Sequence, residues 1–164
     1  SGVTAVRSVD GYTPADYKYK ENESDIYGVP GTVGKYGIFD IEANSMRTGF
    51  LYDDVADCDF QEGVLPVKMN GKWGYVNERG EALTECIYEP SAVTTSDMHP
   101  WESWIEMYSA LNGYVVVRTD AGFGLIDTQG NTVLEPQFED LSQVSPEGLL
   151  WAKQGGKWGV LRVK

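Results

Sequence analysis

Few side chains in this sequence have the types and spacing that chemistry asks for. Asp53, Asp54, Asp57, Asp59 and Glu62 crowd ten residues, a density of oxygen ligands that suits a hard cation such as calcium. Their spacing does not follow an EF-hand loop, and no glycine stands at the turn position between residues 53 and 59. A solvated acidic face is the plainer reading, so Asp53, Asp54, Asp57 and Asp59 are kept only as calcium candidates, and no metal or cofactor is expected. His99 is the only histidine. It rules out a His-rich metal site and leaves one imidazole for acid–base work, placed beside Pro100 where a capping or exposed role is expected.

Neither a phosphate-binding G-x-x-x-x-G-K-[ST] loop nor a G-x-S-x-G nucleophile elbow occurs. Carboxylates are plentiful enough to supply the two acids of a glycosidase, which makes a small hydrolase the alternative function. Such an enzyme needs a deep cleft, and short strands with brief loops do little to build one. Cys58 and Cys86 are too few for a disulfide framework. They form one bridge if their Cα atoms lie within about 7 Å, or stand as two separate thiols, and spacing does not decide between these.

The elements that would position any site come from a pattern written four times. Lys35-Tyr36-Gly37-Ile38-Phe39, Lys72-Trp73-Gly74-Tyr75-Val76, Gly122-Phe123-Gly124-Leu125-Ile126 and Lys157-Trp158-Gly159-Val160-Leu161 align as basic residue or glycine, aromatic, glycine, then two apolar residues. Apolar runs precede three of them, at Val64–Val67, Tyr114–Val117 and Leu149–Ala152, with hairpin-forming Asn70-Gly71, Asp120-Ala121-Gly122 and Gly155-Gly156 between. Second turns follow at Asn77–Gly80 and Asp127–Gly130, with Glu42–Ser45 in that place in the first copy. Third strands are expected over Thr48–Val55, Ala82–Tyr88 and Thr132–Leu141, each with an aromatic at a matching place: Tyr52, Tyr88 and Phe138. The unit is a three-stranded meander, and the chain holds three of them plus a final hairpin.

This pattern resembles the WG repeat family of bacterial proteins, over roughly residues 28–164 in about three and a half copies. Tyr36 and Phe123 replace the family's tryptophan, which keeps an aromatic slab and loses the indole N–H, so a packing role survives where a hydrogen-bonding role would not. The resemblance implies a non-catalytic repeat, frequent in exported or envelope-associated proteins.

The structural positions are thus Tyr36, Gly37, Trp73, Gly74, Phe123, Gly124, Trp158 and Gly159. Strand alternation puts Trp73 and Tyr75 on one face and Gly74 and Val76 on the other. Glycine inside a strand costs about 0.5–1 kcal/mol relative to alanine, so a compensating contact is expected, with the third-strand aromatic lying across it. Trp73 and Trp158 are both expected in the core.

The motif glycines stand at 37, 74, 124 and 159, and the longer middle gap places extra residues at 93–112. Trp101, Trp104, Ile105, Tyr108 and Leu111 recur there at steps of three and four, which predicts an inserted amphipathic helix. Its apolar stripe closes an open sheet edge in one reading. In the other, Trp101, Trp104 and Tyr108 form a ligand-binding surface. Residues 1–27 fall outside the repeat, although Val3–Val9 offers an edge strand, and 28–164 reads as one domain.

The 164 residues, 41% of them apolar, suffice for a real core, and 19 glycines with 12% aromatics suit short strands joined by tight turns. The expected fold is all-β: about eleven short antiparallel strands in successive meanders, curled into a barrel-like or propeller-like array with one helix. The net charge of −12 repels phosphate backbones and anionic headgroups, so no nucleic-acid partner is expected. No apolar run is long enough to span a bilayer, so no membrane insertion of this segment is expected. The function read from all this is a structural or binding scaffold for a protein or glycan, without turnover of its own, in an extracellular or cell-envelope protein.

Overall fold

The computed structural model describes residues 2–7, 34–56, 59–95 and 103–163, with backbone alone for 93–95 and 103–106. Four antiparallel sheets of three strands follow one another. The first joins Val3–Arg7 (β1), Tyr36–Asp40 (β2) and Ser45–Met46 (β3); the second joins Asp54–Val55 (β4), Val64–Met69 (β5) and Lys72–Asn77 (β6). Ala92–Thr95 (β7) and Ser103–Glu106 (β8) form a separate pair. The third sheet holds Tyr114–Thr119 (β9), Gly122–Asp127 (β10) and Thr132–Phe138 (β11). The fourth holds Asp140–Leu141 (β12), Leu149–Gln154 (β13) and Lys157–Arg162 (β14). The chain divides into two compact units, residues 1–86 and 87–164.

The turns behave as their residue types require. Asn70 and Gly71 take φ of 53° and 83°, the left-handed pair of a two-residue hairpin. At the second turn Gly80 and Gly130 have φ of 81° and 87°, and Asn44 fills the same place at 49°. A side chain three residues after Gly37, Gly74 and Gly124 locks that turn. Asp40 Oδ1 accepts the Ala43 N–H, Asn77 Oδ1 those of Arg79 and Glu81, and Asp127 Oδ1 those of Gln129 and Asn131, all at 2.8–3.0 Å.

The segment after the second turn serves two sheets. In the second unit β11 pairs with β10 and the chain then continues into β12, which pairs with β13 of the next sheet. In the first unit β3 and Tyr52 pair with β2, after which β4 pairs with β5. Between Ala82 and Tyr88 the expected third strand is irregular: Ala82 bridges Val76, and the Leu83 N–H donates to Tyr75 O at 2.8 Å.

Two readings of the sequence are corrected here. No helix occurs among the described residues, and the one expected over 93–112 gives way to a strand pair, Val93 opposite Ile105 and Thr94 opposite Trp104. The β-branched run Val93-Thr94-Thr95 favours extended backbone, and its pairing overrides the coincidental steps of three and four. No closed barrel forms among the described residues, because every sheet keeps two edges; the strands among these residues number fourteen, where about eleven were expected for the chain.

Within each unit the core lies between successive sheets. Val3, Ala5 and Ile38 of the first sheet meet Leu65, Val67 and Val76 of the second, with Tyr52 of the crossing segment between them. The second unit repeats the arrangement, with Val116 and Leu125 against Leu150 and Ala152 around Phe138 and Leu141. The face carrying the motif aromatic therefore packs on the opposite face of the sheet that follows it in the same unit.

Candidate functional site

The motif aromatic has a partner that the sequence reading missed. Across the hairpin, Tyr36 stands opposite Arg7, Trp73 opposite Lys68, Phe123 opposite Arg118 and Trp158 opposite Lys153. In each pair the cation lies over the ring, 5.6–6.0 Å from its centroid. Such a contact stabilises by about 0.5–1 kcal/mol where exposed. Its signal was legible: a Lys or Arg five residues before the aromatic in three copies. The cation's carbonyl is used as well. Lys68 O, Arg118 O and Lys153 O accept the N–H of Asp53, Glu89 and Glu139, each the acid directly after a crossing-segment aromatic.

The motif glycine serves close approach of backbone. A Cβ at Gly74 would lie 2.8 Å from Cys86 Sγ and 2.9 Å from Glu85 O; at Gly124, 2.7 Å from Leu134 O; at Gly37, 2.7 Å from Gly49 O. The expected aromatic cover is replaced by the main chain of the crossing segment, while the aromatics pair with one another, Tyr52 opposite Tyr36 and Phe138 opposite Phe123. Where the segment bulges, a threonine hydroxyl stands in for a ladder carbonyl: the Ile38 N–H donates to Thr48 Oγ1 at 2.9 Å and the Tyr75 N–H to Thr84 Oγ1 at 3.1 Å. The Trp73 indole N–H is buried without a hydrogen-bond partner among the described residues, as a packing role requires.

The last hairpin departs from this scheme. Nothing lies within 4 Å of a Cβ built at Gly159, and β14 is a sheet edge. Trp73 is 2% exposed, but Trp158, at the same place in the motif, is 51% exposed, beside Trp151 at 56% and Val160 at 53%. The expectation that Trp158 shares the burial of Trp73 therefore fails, because no sheet or crossing segment among the described residues covers its face. A cavity of about 560 Å³ opens here, lined by Tyr108, Asp140, Leu141, Ser142, Trp151 and Trp158. Two of its polar side chains are engaged with backbone: Asp140 Oδ1 accepts the Leu141 N–H, and Ser142 Oγ accepts the Trp151 N–H while donating to Gln143 O.

The candidates from sequence are scattered. Tyr108 reaches this cavity, half-buried, its N–H donating to Ser91 Oγ at 3.0 Å. Trp104 lies on β8, and Trp101 and His99 lie outside the described residues. Among the acids, Asp53 binds Lys35 Nζ at 3.2 Å and accepts the Asn70 N–H, Asp54 caps Val55, and Asp59 makes a backbone bridge with Thr4. Asp57 and Cys58 lie outside the described residues. Among the described residues no three His, Cys, Asp or Glu gather as metal ligands.

The titrating groups hold structure together. Ala43's N–H and Arg47 hold the Asp40 carboxyl below its ordinary value, Asn70's N–H and Lys35 do so for Asp53, and Asn77 and Arg79 for Glu81. Burial works to raise Asp127, but hydrogen bonds from the Asn131 side chain and the turn N–H groups leave it lowered. Such carboxylates are acceptors at neutral pH and poor proton donors. Burial pushes the Cys86 thiol, a free cysteine, above its ordinary value, with the Asp53 charge adding to this; a protonated thiol is a weak nucleophile.

Fold and site together define a class: an all-β repeat protein built from cation–aromatic–glycine hairpins stitched by crossing segments. Residues 48–73 and 123–158 match the family described as the WG containing repeat. Over those two stretches the chain is similar to WG-repeat proteins. The first match begins in a crossing segment and ends on Trp73 in the next hairpin; the second begins at Phe123 and ends on Trp158. Both thus pair a crossing segment with the hairpin that follows it. No curated protein and no solved structure matches the chain.

Proposed function

We propose that this chain is a non-catalytic repeat module that binds a protein partner through the uncovered face of its last hairpin. One observation carries the reading: the repeat aromatic that is core at Trp73 stands half exposed at Trp158, contiguous with Trp151 and Val160. Exposed tryptophans grouped on a rigid sheet are the residues most favoured as binding anchors. A protein fits better than a glycan. The Asp140 and Ser142 side chains that line the cavity already serve the backbone, and the equivalent face elsewhere is covered by aliphatic residues of another sheet. The setting we assign is an exported or envelope protein, supported by the acidic charge and by the company such repeats keep.

Selection of a displayed random-peptide library against the chain, with the Trp151→Ser/Trp158→Ser variant as counter-target, tests the reading. Ligands that hold the parent and not the variant are expected. A selection that yields none overturns it. A panel of chromogenic glycosides and esters addresses the hydrolase alternative: turnover that falls with one carboxylate substitution would replace the present reading.

A further inference from the structure

The second repeat differs from its neighbours at one small residue. Two places before the crossing-segment aromatic stand Phe50 in the first repeat, Cys86 in the second and Pro136 in the third. Phe50 packs against the cluster that holds Phe39, the second apolar residue after its motif glycine. Cys86 packs against the cluster that holds Val76, the corresponding residue of its own repeat, with a far shorter side chain. Beside it opens a cavity of about 720 Å³, within the size range of small-molecule sites. Every residue lining it falls between Leu51 and Cys86, inside the first compact unit.

The cavity has an apolar floor and one buried hydroxyl. Val67 and Val76 are each 1% exposed, and Tyr52, the aromatic of the first crossing segment, is 5% exposed. Met69, Leu83 and Cys86 add to the wall. The Tyr52 backbone pairs with Tyr36, but its hydroxyl has no hydrogen-bond partner among the described residues. A buried phenol ordinarily holds one. Burial pushes this phenol above its ordinary value, with Cys86 adding to the effect, so the proton stays in place to be donated. Glu85, the charged residue among those lining the cavity, is exposed.

We infer that this cavity is a binding site for a neutral, mainly apolar small molecule carrying a hydrogen-bond acceptor such as a carbonyl oxygen. Its apolar body lies against Val67 and Val76, in the space that a phenylalanine at position 86 would take. Its acceptor receives the Tyr52 O–H. A carboxylate ligand would lose its hydration against aliphatic walls and gain no cation in return. The site belongs to the first unit, and its test is independent of the docking face on the last hairpin.

The experiment titrates the full chain with matched aryl ketones, hydrocarbons and carboxylates, from acetophenone, ethylbenzene and benzoate up to 2-acetylnaphthalene, 2-ethylnaphthalene and 2-naphthoate. Amide chemical shifts follow the binding. Saturable one-to-one binding of a ketone is expected, with shifts concentrated at Tyr52, Met69 and residues 83–86. The matched hydrocarbon should bind about three- to tenfold more weakly, and the carboxylate about tenfold or more. Tyr52→Phe should bring the ketone down to the affinity of its hydrocarbon. The melting temperature of that variant should not fall, because the hydroxyl has no partner to lose. Cys86→Phe installs the first repeat's residue and should abolish binding. Cys86→Leu, the milder filling, should weaken it about tenfold or more.

Absence of saturable ketone binding, or shifts centred on other residues, overturns the inference. So does equal affinity of ketone and hydrocarbon in the parent, since the hydroxyl would then select nothing. A lowered melting temperature of Tyr52→Phe overturns it too, because the hydroxyl would already be bonded within the protein. A carboxylate that binds as tightly as its ketone removes the neutral ligand class and with it the inference.

Discussion

At the scale of single residues, one motif yields two energies. Trp73 fills a packed position and Trp158 borders solvent, so Trp73→Ala should cost about 3–5 kcal/mol and Trp158→Ala less than about 0.5 kcal/mol. Urea midpoints of the two variants check this, and equal losses would mean that the last hairpin is covered in solution. Trp73→Phe should be the mild substitution, since its indole N–H has no hydrogen-bond partner among the described residues and Phe123 already fills the equivalent place. The cations opposite the aromatics were within reach of the sequence. They stand on the partner strand, outside the aromatic strand that carries the repeat pattern.

At the scale of elements, the crossing segment explains the glycine. Gly74→Ala puts a Cβ 2.9 Å from Glu85 O, a backbone atom that moves only with its segment, so the variant should lose about 1–3 kcal/mol. Gly159→Ala meets nothing and should be neutral or slightly stabilising, by up to about 1 kcal/mol, because alanine suits a strand better than glycine does. Thermal melts of the pair test whether glycine serves space or flexibility, and a shared loss would point to flexibility. Turn chemistry was legible beforehand, down to Asn44 in place of glycine. The helix was misread for a physical reason. Five apolar residues in eleven positions satisfy helical steps, but the backbone of Ser103–Glu106 pairs with Ala92–Thr95, and the pairing of one strand with another leaves no mark in the spacing of one strand's apolar residues.

At the scale of the whole molecule, acid should be the weak side. Asp40, Asp53, Glu81 and Asp127 all have folded values below their ordinary ones. Their contribution is therefore present in full above the ordinary values of 3.8 and 4.5 and is lost as pH falls through the lowered folded values. The urea midpoint should hold steady from neutral pH to about 5 and decline below about 4. Asp40→Asn, which removes the charge paired with Arg47, should be less stable than the parent at neutral pH, and the gap should close as pH falls toward 2. A gap that stays constant with pH would mean that the Asp40 charge contributes nothing to stability.

Sequence alone determined the repeat, its turns and the strand character of the motif, because these rest on φ preferences and side-chain alternation that each residue carries with it. It also determined that an aromatic slab and a glycine recur together. Tertiary structure decided which atoms meet them. Lys-Trp-Gly reads identically at 72–74 and 157–159, yet one tryptophan is core and the other is surface. Burial is a property of what packs on a residue's face, and no sheet of the described chain packs on the face of Trp158.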